Sequence, residues 1–160
     1  GQHVALGVAC MLKQRVARLY GLRSGGLAGF PTVEALASAD PDLLGQAGFT
    51  RAKHGAIIGA AQAVKAGALD IEQLADVPRA DAYAALVALR GVGPWTAEYV
   101  LGRGLLDDDA FPAGDVGLRQ AVERITVQGR LPTEAVSSFA EPVRGHRAWL
   151  TFLLWNTLEA

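Results

Sequence analysis

In this chain of 160 residues, a lone acid and a pair of aromatics stand where their types and spacing could do chemistry. Asp115 lies in Phe111-Pro-Ala-Gly-Asp-Val-Gly-Leu-Arg-Gln-Ala-Val122, directly ahead of a run that would place Leu118, Val122 and Ile125 on one inward face. An aspartate at that position is a favoured helix cap, because its side-chain oxygen accepts an orphan backbone N–H. The capping reading and a catalytic one are compatible, since an ionised carboxylate fixed in place also stabilises a positive charge developing beside it. Trp95 and Tyr99 are four residues apart, so on a helix they share a face and would line a slot for a flat ring. They would equally serve as ordinary core aromatics.

The stretch Leu86-Val-Ala-Leu-Arg-Gly-Val-Gly-Pro-Trp-Thr-Ala-Glu-Tyr-Val-Leu101 positions that pair. One amphipathic helix ends at Arg90, a Gly-Val-Gly-Pro turn follows, and a second helix starts at Pro94, which together make a helix-hairpin-helix. Gly91 and Gly93 permit positive φ and close backbone approach, and Val92 between them would plug the space between the helices. The unpaired N–H groups of the turn and of the second helix's first turn, with the helix dipole, form a site for an anion such as a DNA phosphate. A contact of that kind positions a duplex without reading its sequence. The plain alternative is an αα-hairpin with no ligand.

Further elements must carry these pieces. The breakers divide the chain into helices joined by short turns, and no segment alternates in the manner of a strand, so an all-α fold is expected. The first helix runs to Tyr20 and stops at Gly21, a position suited to a left-handed residue. Thr32 and Asp40, followed by Pro41, open two short helices between residues 32 and 47. Thr50 opens a longer one with Ile57, Ile58, Ala61 and Val64 inward, closed by Gly67, and Asp81 to Leu89 forms another. The last helix, Arg147 to Leu158, is apolar on nearly every side and is expected to be buried.

Composition sets the outer bounds. With 51% hydrophobic and 7% aromatic residues the chain is an ordinary aliphatic globular protein. Its longest apolar runs, residues 55–64 and 148–155, fall short of the ~18 residues that a membrane span needs. A single cysteine, Cys10, excludes an intrachain disulfide framework, a four-thiolate zinc site and an iron–sulfur cluster, and points to a reducing compartment. The net charge of −1 hides an asymmetry: residues 1–65 carry seven basic side chains against three acidic ones, and the remainder eight arginines against thirteen carboxylates. Lys13, Arg15, Arg51 and Lys53 are candidate phosphate partners, with solvated helix faces as the plain alternative, and Asp107 to Asp109 reads as a solvated acidic loop. There is no initiator methionine, and the helical pattern has begun by Val4, so the chain reads as a piece of something longer.

The Gly-Val-Gly hairpin, the Pro-Xaa-Xaa-Asp helix start about twenty residues later and Phe30-Pro-Thr-Val-Glu-Ala-Leu-Ala-Ser-Ala-Asp40 together resemble the helix-hairpin-helix DNA glycosylase superfamily. Within it the chain is most similar to the 3-methyladenine DNA glycosylase II (AlkA) type, over essentially its whole length from Gly1-Gln2 to Trp155. The resemblance implies one helix-hairpin-helix glycosylase domain over residues 1–160, in two helical lobes with a cleft between them, the hairpin at 82–102 and upstream sequence lacking. It implies a monofunctional enzyme that everts and hydrolytically excises alkylated purines from double-stranded DNA. In the bifunctional glycosylase/lyases of the superfamily the position two after Gly93 is a lysine that forms a Schiff base; here it is Trp95, and the lack of a cysteine cluster agrees with the alkylpurine branch.

By the same resemblance Asp115 is the catalytic acid, Trp95, Tyr99 and Trp155 line the base pocket, and Gly91, Val92, Gly93 and Thr96 contact DNA. Trp155 has a plain alternative as core, beside Trp149 and Phe152. The wedge that fills the gap left by the base would follow Gly1-Gln2, which makes Gln2 and His3 DNA-binding; the family's wedge is usually apolar, and His3 departs from that. No metal or organic cofactor is expected for the chemistry, although relatives hold a monovalent cation on hairpin carbonyls. A monomer with no membrane partner is expected, cytoplasmic in a bacterium or nuclear in a eukaryote. The competing readings are a non-catalytic DNA-binding module of a larger repair protein and a glycosylase for another damaged base.

Overall fold

Side-chain caps set several of the helix starts. In a computed structural model, which describes the backbone of residues 2–21, 23–24 and 27–158 and the side chains of residues 10–21 and 29–158, Thr32 accepts from the Ala35 N–H (3.2 Å) and opens α2 (Val33–Ala37). Asp40 accepts from the Asp42 N–H (2.8 Å) and opens α3 (Pro41–Gln46), with proline in the first turn where no N–H is missed. These follow α1 (Gln2–Tyr20) and precede α4 (Arg51–Lys65). The later helices are α5 (Arg79–Val87), α6 (Pro94–Gly104), α7 (Val116–Thr126), α8 (Thr133–Phe139) and α9 (Arg147–Asn156). None of the described helices is long and apolar enough to cross a membrane.

The fold is helical as expected, with one small exception. Two strands of two residues each, β1 (Arg23–Ser24) and β2 (Leu27–Ala28), pair antiparallel just after α1. Helix α1 does end at Tyr20, but Gly21 is not left-handed. A side chain there would collide with the carbonyls of Ala17 and Gly29, so the glycine serves close approach. The first hairpin helix lies two residues earlier than expected, at Arg79–Val87.

The chain divides into two compact units, residues 6–77 with 88–92, and residues 1–5, 78–87 and 93–160. The first is built on Val16, Ala39, Leu44 and Ala47, with Tyr20, Leu36, Phe49, Ile57 and Ile58 packed against them. Its buried histidine, His54, places Nε2 2.8 Å from the Phe49 carbonyl. The second is built on Phe111, Leu118, Ala121, Val122, Val136, Ala140 and Leu154.

Two expectations in this second unit fail. Ile125 is 53% exposed, in the last turn of α7. Helix α9 is not buried all round: Ala148, Thr151 and Leu154 face the core, while Trp149 and Leu153 are each 64% exposed. Apolar composition showed how much of the helix is water-averse and left open how many neighbours it has.

Candidate active site

The site is assembled around the start of α7. Phe111, Ala110 and Pro112 are buried, and two short backbone bonds, Ala113 N–H to the Phe111 carbonyl (2.8 Å) and Asp115 N–H to the Pro112 carbonyl (2.7 Å), fold the chain tightly into Asp115. Asp115 caps α7: its Oδ1 accepts from the Leu118 N–H at 2.9 Å, a contact worth about 1 kcal/mol to a helix. Capping leaves the carboxylate unsatisfied at its other acceptor positions. The Nε1–H of Trp155 donates to the same Oδ1 at 3.1 Å, and the Nε1–H of Trp95 donates to Oδ2 at 2.9 Å. Three donors meet two oxygens that are 4% exposed with their residue, the complement of a carboxylate anion. One acceptor position on Oδ2 is left over.

Gly117 makes room for this arrangement. A Cβ on it would stand 2.9 Å from Asp115 Oδ1 and 3.1 Å from Leu158 Cδ1, so any side chain would push the carboxylate off its indoles. Sequence reasoning passed over this residue, although an Asp-Xaa-Gly at a helix start is its visible trace.

The aromatics form a row. The Trp95 and Tyr99 rings stack at 5.4 Å between centroids and 26° between planes. Tyr99 and Trp155 lie 6.1 Å apart at 44°, and Phe152 meets Trp155 edge-on at 5.9 Å. The Arg103 guanidinium lies 5.2 Å from the Phe152 centroid. Trp95 and Tyr99 thus touch each other, and the space between them is already filled. A flat ligand would meet an outer face of the row, beside the small cavity that Tyr99, Pro112, Phe152 and Trp155 help to line. Phe152 was expected only as a core neighbour of Trp155, and Arg103 was not anticipated.

In the acidic run Asp107 to Asp109, Asp108 is exposed as a solvated loop would have it, but its two neighbours are tied down. Asp107 Oδ2 accepts from Arg79 Nε (2.6 Å), and both Asp109 oxygens accept from Arg147, at 2.7 and 2.6 Å, with the Gly145 N–H adding a bond of 2.6 Å. The Arg147 guanidinium holds the Asp109 carboxyl down at about 2, against the opposing effect of burial, with the Gly145 N–H assisting. Both cations come from distant helices, which is why local sequence gave the opposite expectation.

In the hairpin, Gly91 takes φ +86°, and a Cβ there would come 2.6 Å from the Ala56 Cβ on α4. Gly93 is different from what was expected: its φ is −91° and its ψ 174°, an extended cap to α6 that any residue adopts. Val92 is half-buried and donates to the Leu89 carbonyl at 3.0 Å. No side chain caps α6, and the N–H groups of Trp95 and Thr96, in its first turn, lack intrahelical acceptors. Lys13, Arg15, Arg51 and Lys53 are exposed, Arg15 also donating to the Ala47 carbonyl at 3.3 Å. The side chains of Gln2 and His3 lie outside the described residues. Among the described residues no three His, Cys, Asp or Glu side chains gather as a metal site would require.

Comparison with known proteins places the chain in a family. Residues 1–143 match the family described as HhH-GPD superfamily base excision DNA repair protein. The chain is 34% identical to a DNA-3-methyladenine glycosylase of Bacillus subtilis, over 99% of this chain and 54% of that protein. It is 32% identical to DNA-3-methyladenine glycosylase 2 of Escherichia coli, over 98% of this chain and 54% of that one. A solved 3-methyladenine DNA-glycosylase from Archaeoglobus fulgidus superposes with a TM-score of 0.78 at 32% identity, covering 93% of this chain and 51% of the other. The fold is also that of a Schizosaccharomyces pombe 3-methyladenine DNA glycosylase in complex with abasic DNA, with a TM-score of 0.85 at 23% identity, over 96% and 73% of the two chains. The chain spans about half the length of the curated relatives it matches. Its hairpin, its capped aspartate and these likenesses agree, and the chain belongs to the HhH-GPD superfamily of base excision DNA repair proteins.

Proposed function

We propose that the chain is the catalytic domain of a monofunctional DNA glycosylase that removes alkylated purines from double-stranded DNA by hydrolysis. The observation that carries this reading is the convergence of two indole N–H groups on Asp115 at the head of α7. Capping alone needs neither indole. A carboxylate held from three sides cannot rotate away, so its charge is already oriented when positive charge develops at a sugar beside it.

The lesion is rotated out of the stack at a cost of roughly a few kcal/mol, less for a damaged base. Alkylation at N3 or N7 leaves the purine cationic, and a cationic ring stacking on Tyr99, Trp155 or Trp95 gains about 1–2 kcal/mol in a desolvated setting. The bond between C1′ and the base nitrogen then breaks, its electron pair neutralises the purine, and the remaining acceptor position of Asp115 Oδ2 faces the cationic sugar. Water supplies the new C1′–O bond, and its proton passes to Asp115 or to solvent. Since Trp95 has no amine, no covalent adduct with the sugar forms.

DNA is gripped at the hairpin, whose free N–H groups meet a phosphate, and Lys53, exposed on α4, adds to the long-range attraction for DNA. Carbonyls there, such as that of Leu89, keep a second lone pair, which fits a monovalent cation bridging to phosphate. Gln2 and His3 are assigned the gap left by the base.

Incubating the purified protein with methylated DNA and identifying the freed bases by chromatography tests the proposal. Release of 3-methyladenine with strands intact is expected. Release of oxidised or mismatched bases alone would move the reading to another lesion, and binding without any release would leave a DNA-binding module. An adduct trapped by borohydride would contradict the part given to Trp95.

A further inference from the structure

Glu98 belongs to none of the roles above, yet its side chain is only 16% exposed. It lies on α6, three residues after Trp95, and Oε2 accepts from the Phe111 N–H at 2.9 Å. Both oxygens also accept from Arg79 Nη2, at 2.8 and 2.6 Å. Arg79 in turn holds Asp107, so the segment from 107 to 111 is fastened at both ends to one ion-paired group. Three residues of tight turn then separate Phe111 from Asp115, locked by the Phe111 and Pro112 carbonyls. One helix therefore grips the aspartate twice, by the Trp95 indole at the carboxylate and by Glu98 at the backbone leading to it. Helix α9 repeats the pattern, with Arg147 on Asp109 and Trp155 on Asp115.

Withdrawing a carboxylate from water is costly unless its partners are good. A merely structural role would be to satisfy the buried Phe111 N–H, whose loss as an unpaired donor destabilises the fold. The geometry goes further, because the segment Glu98 holds ends at the reacting acid, where displacements of about 1 Å lower rates by about 100-fold.

We propose that Glu98 is a positioning residue for Asp115: by holding the Phe111 N–H it fixes the turn that places the carboxylate between the Trp95 and Trp155 indoles. As a statement about catalysis this rests on the glycosylase reading; as a statement about geometry it does not. The test is built to separate the two.

The chain has three tryptophans, and an indole-labelled nitrogen–proton correlation spectrum reads each Nε1–H separately. Trp149, exposed on α9, is the internal control. Glu98→Ala is expected to move the Trp95 and Trp155 signals in the direction that Asp115→Asn moves them while Trp149 stays. Single-turnover base release should fall about 10- to 100-fold, with affinity for abasic DNA unchanged. Glu98→Gln keeps a carbonyl acceptor for the Phe111 N–H and should restore most of the rate and both signals.

Unmoved Trp95 and Trp155 signals in Glu98→Ala would overturn the proposal. So would a shift of all three indoles together with a collapse in thermal midpoint, which marks general loosening. Glu98→Gln as slow as Glu98→Ala would also overturn it, because the ion pair with Arg79 would then be what matters. If Glu98→Ala does not fold, Glu98→Asp, charged but one methylene short of Phe111, takes its place: the same directed indole shifts support the proposal and unmoved ones overturn it. A wild-type protein that frees no base would remove the glycosylase reading and leave the indole shifts to decide the positioning.

Discussion

The two units handle charge in opposite ways. The unit of residues 6–77 and 88–92 carries eight basic side chains against six acidic ones, and among its described residues only His54 is a buried polar side chain. The other unit carries seven basic against ten acidic ones and draws carboxylates inward: Asp115 under two indoles, Glu98 on Arg79, Asp109 on Arg147. Cations left on a surface attract a polyanion at long range and are screened by salt. Carboxylates fixed among donors act at short range, on one cationic centre. On the proposed reading, long-range attraction for phosphate and short-range action on a cationic sugar fall to different side chains.

Substitutions in each unit should therefore fail differently. The largest effect is expected from Asp115→Asn. The asparagine amide must turn its NH2 toward an indole N–H or the Leu118 N–H, losing a hydrogen bond as well as the charge, and base release should drop about 100- to 1,000-fold. Affinity for abasic DNA, measured by anisotropy, should survive; near-normal release would erase the contrast between the units. Gly91→Ala acts in the other unit, where φ +86° and the 2.6 Å approach to Ala56 both oppose a side chain. A loss of about 1–3 kcal/mol in thermal unfolding is expected, with weaker DNA binding but normal release from DNA-saturated protein.

A smaller effect separates the units by pH. The Asp109 carboxyl lies at about 2 in the folded protein instead of its ordinary 3.8, a depressed value whose stabilisation is fully present above about pH 4 and is lost as pH falls toward 2. It amounts to at most about 2 kcal/mol, and Asp109→Asn should remove that part of the acid sensitivity in urea titrations. Smallest is Lys53→Ala, which should lower the slope of log affinity against log salt by about one without touching release from saturated complex. A changed release rate there would mean that the cation-bearing unit takes part in the chemistry.

Much of this division was legible in the residues, and the illegible part has a common cause. Thr32, Asp40 and Asp115 announce their caps because a cap is a local hydrogen bond, and Trp95 with Tyr99 announces a shared helix face because the spacing is local too. The hairpin turn was readable, but Gly93 proved to be an ordinary extended residue, and only Gly91 needs the left-handed region. What could not be read depends on partners far along the chain. Arg79 is 28 residues from Asp107, Arg147 is 38 from Asp109, and Trp155 is 40 from Asp115. No periodicity reports such pairings, so an acidic run that is tied down looks the same as one that is free.

The indole at position 95 also constrains how this chain could have diversified. Exchanging it for an amine-bearing side chain would at one stroke supply a nucleophile and strip the neighbouring acid of a donor that keeps it in place. On the proposed reading, that single exchange would trade a firmly held acid for a nucleophile, so two properties of the site hang on one side chain.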